Sequence, residues 1–447
     1  MLPKKVNKLV GLKKSDFDTF IQSGQITLSP ARLIPLLKTG DEMALTSILL
    51  SSIRLVKEFR DKLFREVKLK RNGVAYFYTE ACFKDVDSSS RIDGLIIVVV
   101  SGVIQDAAFI EVKNNKNKID EQQILKYYKI AKDLRVPKLI TVSNEFTASS
   151  EHSPVTIKNQ SKKVSLLHFS WTYLQTLAQL LLFDNEDDID DVDQIEIMRE
   201  VLSYLTDHRS GVSGFHQMNS AWKEVADKIR AQQTPQEQVL SDAVTSWHQE
   251  EADMGLMLSR KLGVLVKSSV KDAKKKLAND IKKLKSKYCL SSNFKVKGAV
   301  SNIEVVADFE RRVISMEINV TPPLDRGPSS RITWIKNQLD KIKMDDSFAS
   351  ELYVEAEIKH KNKPIRFKYT NIDAFYEPDI KSQNITQFNI VLINSVGAKF
   401  VSSKGFVSII EDTLLTYYQT VVQNLKTWHP PAPKLQVKEV DSEKANK

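Results

Sequence analysis

Long hydrophobic runs are missing from this 447-residue chain. No stretch reaches the roughly 18 apolar residues that a membrane helix needs, so no membrane partner is expected. Cysteine is nearly absent too: Cys82 and Cys289 are too few for a disulfide framework. Residues 1–5 lead into no apolar segment of the secretory kind, which predicts a cytoplasmic protein with both thiols reduced. The seven histidines are scattered, with no paired His or Cys at ligand spacing, which argues against zinc. No glycine-rich loop ends in Gly-Lys-Ser/Thr, so a P-loop motor is excluded. Nor is the segment Ser210-Gly211-Val212-Ser213-Gly214-Phe215 a nucleophile elbow, because Phe215 stands where glycine is required. What remains is an ordinary globular composition, 42% hydrophobic and 27% charged. The net charge of +10 suits a polyanionic partner.

The most informative pattern that is present consists of acids at strand ends. Arg91-Ile92-Asp93-Gly94 opens the apolar run 95–100, and Phe109-Ile110-Glu111-Val112-Lys113 closes the next apolar stretch. Side chains on a strand alternate faces, so Glu111 and Lys113 project to one side while Val112 points into the core. If the two strands form a hairpin, turning near Ser101-Gly102 or in Gln105-Asp106, Asp93 lies beside Glu111. Two carboxylates and the Val112 carbonyl oxygen then offer the all-oxygen site that magnesium takes while keeping several waters. The competing reading is a cross-strand ion-pair surface formed by Glu111 and Lys113.

This spacing resembles the PD-(D/E)XK nuclease superfamily, with Ile92-Asp93 where the motif has Pro-Asp. Residues 118–133 read as a helix that sets Gln123 and Tyr127 one turn apart on one face. A Gln-x-x-x-Tyr pair on the helix after the Glu-x-Lys strand recurs in many superfamily members. The runs 138–144 and 165–171 read as strands, and a helix follows to about residue 182. The order is then strand, strand, helix, strand, strand, helix, an α/β pattern. Further stretches, among them Ala31-Arg32-Leu33-Ile34-Pro35, Thr79-Glu80 and Ile140-Thr141-Val142-Ser143-Asn144, resemble an uncharacterised group of bacterial nuclease-like proteins, some labelled stress-response proteins. The resemblance implies an α/β fold: a restriction-endonuclease-like mixed-sheet core with flanking helices. It implies Mg2+ (or Mn2+) held by Asp93, Glu111 and the Val112 carbonyl. Lys113 is then expected to orient the attacking water or stabilise developing charge, and Gln123 and Tyr127 to position water or phosphate.

Upstream, 1–40 reads as a lysine-rich arm or peripheral helix, and 41–66 as one long helix. Leu45, Leu49, Ile53, Val56 and Phe59 fall at helical spacing, and Thr39 with Glu42 forms a capping-box signal. Asn72-Gly73 marks a turn before a strand over 74–83. Two acids here are candidate further metal ligands. Glu42 stands where many superfamily members carry a metal-holding glutamate, and is equally an acid favoured by the helix macrodipole. Glu80 sits mid-strand among apolar residues, where an unpaired carboxylate is costly; it faces the Asp93 cleft or is salt-bridged at an edge.

The nuclease-like domain is expected over 41–183, an acidic linker and helical connector over 184–288, an α+β domain over 289–428 and a disordered tail over 429–447. The seven acids within 184–193 read as a solvated linker, since the glycine and terminal glutamate of a calcium loop are missing. In the connector, Val266, Val270, Ala273, Leu277, Ile281, Leu284 and Tyr288 form an apolar helical stripe. On the same helix Lys274, Lys275, Lys276, Lys282 and Lys283 are candidate phosphate contacts, or a solvated lysine face. Strands are expected at 294–300, 303–309, 313–320, 352–360, 365–369 and 388–394, with helices at 330–342 and 406–427.

The function expected from these features is a metal-dependent endonuclease hydrolysing DNA phosphodiester bonds, DNA being favoured over RNA, in phage defence or DNA repair. A homodimer or a defence-system protein is the expected partner. The alternative is a catalytically silent nucleic-acid-binding or assembly subunit that works only with a partner.

Overall fold

The structure, a computed structural model, describes residues 5–430 apart from 35–36, 148–149, 152, 156, 158–162, 184–188 and 269–272. The chain divides into two compact units. One comprises 1–297, 304–314 and 395–415; the other comprises 298–303, 315–394 and 416–447.

The first unit is built on a six-stranded mixed sheet. In chain order its opening elements are α1 (Lys14–Gln22), β1 (Ile26–Pro30), α2 (Glu42–Leu55), α3 (Lys57–Glu66), β2 (Val74–Phe83), β3 (Asp87–Val100) and β4 (Val103–Val112). Then follow α4 (Glu121–Asp133), β5 (Lys138–Ser143), β6 (Ser165–Ser170), α5 (Trp171–Phe183) and α6 (Val192–Thr206). The strands lie in sequence order. β1 to β4 are antiparallel neighbours, and β4, β5 and β6 run parallel. The parallel step from β4 to β5 needs a crossover, which α4 supplies.

Strand alternation sorts the core onto two faces. Ile96, Val98, Ala108, Ile110 and Val112 pack with residues of α2, α3, α5 and α6. Leu95, Ile97, Ala107 and Phe109 pack with residues of α1 and α4. The β3–β4 hairpin turns at Ser101-Gly102, both with positive φ (50° and 75°), the backbone of a type I′ turn whose twist matches the strands it joins. Gln105, the other expected turn site, is instead the extra residue of a bulge between the pairs Val98↔Asp106 and Val99↔Ile104.

Two expectations for the N-terminal part are corrected. Residues 5–30 are no arm: Val6, Leu9, Leu12, Phe17 and Phe20 are buried in the core, and β1 forms a sheet edge. The span 41–66 is not one helix, because buried Val56 is extended (φ −106°, ψ 108°). The second helix starts afresh with Lys57 N donating to Gln194 Oε1 at 2.7 Å. Apolar spacing passes through such a break unchanged, so periodicity alone could not reveal it. The N-cap of α2 is Asp41, whose Oδ1 accepts from Met43 N at 2.9 Å, and not Thr39. Glu42 is therefore the first helical residue and not the third, and its carboxylate is released from capping.

Gly94 lets α2 approach the sheet: a Cβ there would stand 3.0 Å from Ile110 Cβ and 3.1 Å from Leu50 Cδ1. Gly94→Val is expected to cost about 1–3 kcal/mol by overpacking, read as a lower urea midpoint at unchanged slope; an unchanged midpoint would mean that α2 yields freely.

The chain continues through α7 (Ser220–Arg230), α8 (Glu237–Leu262), β7 (Lys267–Ser268), α9 (Ala273–Lys287), β8 (Cys289–Lys295), β9 (Ile303–Asp308) and β10 (Val313–Val320). Trp222 on α7 and Trp247 on α8 stack at 6.0 Å, and Trp222 also packs against Phe309, Phe400 and Phe406. The basic helix is described over Ala273–Lys287; of the apolar stripe, Val266 precedes β7 and Val270 lies outside the described residues. Next come α10 (Pro328–Leu339), α11 (Asp346–Glu351), β11 (Leu352–Ile358), β12 (Ile365–Lys368), α12 (Pro378–Lys381), β13 (Ile385–Ser395) and α13 (Ser403–Thr420). A second sheet, antiparallel, is present, in which β11 pairs with β12 and with β13. The strand expected at 294–300 is β8, five residues earlier. Among the described residues no helix is long and apolar enough to cross a membrane.

Candidate active site

The end of β4 gathers most of the acids singled out above. The β3–β4 ladder runs to Gly94↔Ile110, so Asp93 and Glu111 are the next pair beyond it. There a side chain replaces the backbone acceptor: Asp93 Oδ2 accepts from Val112 N at 2.8 Å. Alternation puts Asp93, Glu111 and Lys113 on the face covered by α4.

Glu111 is fully buried. Its Oε1 accepts from Lys113 Nζ at 2.5 Å, and its Oε2 is buried with no hydrogen-bond partner. Burial first, and the Asp93 carboxylate second, push its carboxyl up to about 8. Burial likewise raises Asp93 against the opposing pull of the Val112 amide. For Lys113 burial works against the charge, but the Glu111 hydrogen bond and the carboxylates of Glu111, Asp93 and Glu42 outweigh it. The net direction is upward, and the ammonium stays charged. A close carboxylate pair with one lysine cannot hold two free negative charges cheaply, which is the setting for a shared proton or a second cation.

Glu42 reaches this centre from the start of α2. Its Oε1 accepts from Asn114 N at 3.1 Å and Asn117 Nδ2 at 2.8 Å, and its Oε2 lies 3.7 Å from Lys113 Nζ. Glu42 also borders an open cleft of about 500 Å³ lined by Lys38, Asp41, Asn115 and Asn117. Glu80 falls between the pairs Thr79↔Gly94 and Ala81↔Ile92, opposite Asp93. Its φ of +56° is a left-handed conformation inside a strand, and such strain persists only where the surroundings over-determine it. Arg91 Nη1 lies 3.2 Å from its carboxylate. Burial, then Asp93, raise the Glu80 carboxyl.

On α4, Asp120 caps the helix by accepting from Gln123 N at 2.7 Å. Gln123 Nε2 donates to Tyr127 OH at 3.1 Å, which donates in turn to Arg91 O at 2.6 Å. Burial, and next the charge of Glu111, raise the Tyr127 phenol, which stays protonated. Asp93, Glu111, Lys113 and Glu42 are thus brought together, with Glu80 and the Gln123–Tyr127 pair beside them.

The lysines of α9 behave differently. Lys276 is ion-paired with buried Glu251, Lys283 donates to Ser291 Oγ at 2.6 Å, and Lys275 and Lys282 are exposed. The Lys274 side chain lies outside the described residues.

Sequence reasoning missed Asn114. It is fully buried, and its Nδ2 donates to Gly40 O at 2.8 Å and Ser210 O at 2.7 Å. Gly40 and Gly211 both have positive φ, and a Cβ on Gly211 would meet Asn114 Nδ2 at 2.7 Å. The two glycines were the available signal, since each permits a close approach to something polar. Trp171 was missed as well: its Nε1 donates to Lys113 O at 3.0 Å, fixing the backbone behind the lysine.

The donor set fits a hard cation in one respect and departs from a closed cage in another. The buried Glu111 Oε2 has no donor and lies beside Asp93, so two acids share the single cation Lys113. Yet among the described residues no group of three or more His, Cys, Asp or Glu side chains gathers closely enough to hold a metal. Magnesium is commonly bound through one or two carboxylates and otherwise by water and substrate, so a two-acid site remains compatible with it. Comparison with known proteins adds nothing to this geometry: no family model, no curated protein and no solved structure matches the chain.

Proposed function

We propose that this protein is a metal-dependent nuclease that hydrolyses DNA phosphodiester bonds at the end of β4. The observation that carries the reading is Glu111. It is a fully buried carboxylate with one oxygen on Lys113 and the other unpartnered beside Asp93. Beyond the hydrogen bond that it accepts from Val112 N, Asp93 brings a second buried negative charge that a Glu111–Lys113 ion pair does not need and that raises the cost of the first. Support also comes from the mixed sheet, in which the acid pair closes the antiparallel part and α4 carries Gln123 and Tyr127 past it. This is the arrangement expected of a restriction-endonuclease-like core.

In this reading Asp93, Glu111 and the Val112 carbonyl would hold Mg2+ or Mn2+, which would supply charge neutralisation and lower the pKa of a water. Lys113, kept cationic by its neighbours, faces charge developing on the phosphate, the role in which a fixed donor is worth most. Tyr127, held protonated, and Gln123 remain hydrogen-bond partners for water or a phosphate oxygen.

The test is incubation of the pure protein with linear and circular DNA, single- and double-stranded, in Mg2+ or Mn2+. Cleavage that a chelator stops, with a metal-induced rise in melting temperature, is the expected result. Absence of both would overturn the reading. A metal-induced rise without cleavage would favour the silent subunit that needs a partner protein.

A further inference from the structure

Glu111 and Glu42 compete for one ammonium group. Lys113 Nζ stands 2.5 Å from Glu111 Oε1 and 3.7 Å from Glu42 Oε2. Only 16% of the lysine side chain is exposed, against 1% for Glu111 and 29% for Glu42. The short contact is with the deeply buried acid, and the longer one with the acid at the cleft. Glu42 is itself held in place, since Asn114 N and Asn117 Nδ2 both donate to its Oε1, which leaves Oε2 for the lysine. Trp171 and the Val142 carbonyl fix the lysine backbone, through Trp171 Nε1 to Lys113 O at 3.0 Å and Lys113 N to Val142 O at 2.8 Å. Movement is therefore confined to the side chain.

We propose that Lys113 is the resident counter-ion of Glu111, that a divalent cation taking Glu111 Oε2 and Asp93 repels the ammonium from Oε1, and that Glu42 is the berth to which it passes. This rests on the metal-dependent reading above and assigns Glu42 as a positioning residue that acts through Lys113. The exchange leaves neither carboxylate without a cation: Glu111 takes the divalent ion, Glu42 takes the ammonium, and the site gains the metal's two positive charges. A buried carboxylate stripped of its cation is strongly penalised, as is a half-buried ammonium left alone, so each partner needs a replacement at every stage. Metal uptake would thereby move the lysine from the acid pair toward the cleft side.

The experiment is Mn2+ binding to the full chain at one fixed pH, followed by the electron paramagnetic resonance of free Mn2+, for wild type, K113M, E42Q and the double variant. The amide that E42Q introduces keeps an oxygen for Asn114 and Asn117 and loses only the charge. K113M is expected to bind Mn2+ about ten-fold more tightly, and E42Q about five-fold more weakly. In the K113M background E42Q should have no effect, because the coupling between the two sites runs through the lysine. Should K113M fail to fold, K113Q serves in its place, with near-ultraviolet circular dichroism checking the packing of each. Equal or weaker binding by the Lys113 variants overturns the resident counter-ion. An E42Q effect that persists without the lysine overturns the berth. If wild type binds Mn2+ and E111Q does not, either failure leaves the metal site standing; if neither wild type nor any variant binds, the metal-dependent reading falls as well.

Discussion

Lys113→Ala is expected to lower the rate of the proposed DNA cleavage at saturating metal by at least about a hundred-fold, the loss typical of removing one fixed donor from developing negative charge. The size follows from how firmly the ammonium is prepared. Glu111 and Glu42 keep it charged, and Trp171 and Val142 hold its backbone, so no water of similar order can replace it. The same substitution leaves Glu111 buried without a cation, which by itself would destabilise the fold or protonate the acid. Cleavage must therefore be compared with Mn2+ binding on the same preparation. Lost cleavage with metal binding retained or tightened marks Lys113 as a catalytic residue. Cleavage at the wild-type rate would remove it from the chemistry, and loss of both signals together with near-ultraviolet dichroism would mean that the residue serves the fold.

The second large effect is a gain in stability. Glu250 on α8 is fully buried, and neither of its carboxylate oxygens has a hydrogen-bond partner. Asp253 is nearly as buried; its Oδ2 accepts from Phe215 N at 2.5 Å and its Oδ1 has no hydrogen-bond partner. Glu411 on α13 adds a third acid, and Arg260 stands 3.9 Å from Asp253 Oδ1. Burial foremost, then mutual repulsion, raises Glu250 well above the ordinary carboxylate range and Glu411 to about 7. Burial raises Asp253 to about 6 against the pull of Arg260, the Phe215 amide and His216.

The sign follows from linkage. A carboxyl raised on folding contributes stability that is complete below its unfolded value and lost as pH climbs through its folded value. For these acids the loss runs from about pH 4 to above 7. Glu250→Gln keeps the shape of the neutral acid and removes the ionisation that favours the unfolded chain. At about 1.4 kcal/mol for each pH unit of displacement, and about 2–4 °C per kcal/mol for domains of 150–250 residues, the variant should melt several degrees higher at pH 8. Near pH 5 the gain should be far smaller. Calorimetry at both pH values decides it. A variant that melts no higher than wild type at pH 8 would show that Glu250 has a compensating partner in the native protein.

Much of the first unit could be read along the chain. Alternation placed Asp93, Glu111 and Lys113 on one face, and Ser101-Gly102 was one of two candidate turns. The 3.6-residue period of α4 set Gln123 beside Tyr127. All of these are decided within a few residues by strand pleat, turn conformation and helical pitch, so the sequence by itself determined them. Tertiary structure alone decided the rest. Glu42 meets Asn114 across 72 residues, Asn114 closes onto Ser210 across 96, and Glu250 faces Glu411 from a distant helix. At the break at Val56 the next helix is likewise met from another element, Lys57 N donating to Gln194 across 137 residues. Local pattern says which face a side chain takes, but long-range packing chooses what stands opposite, and the charge and burial of these acids depend on that opposite partner.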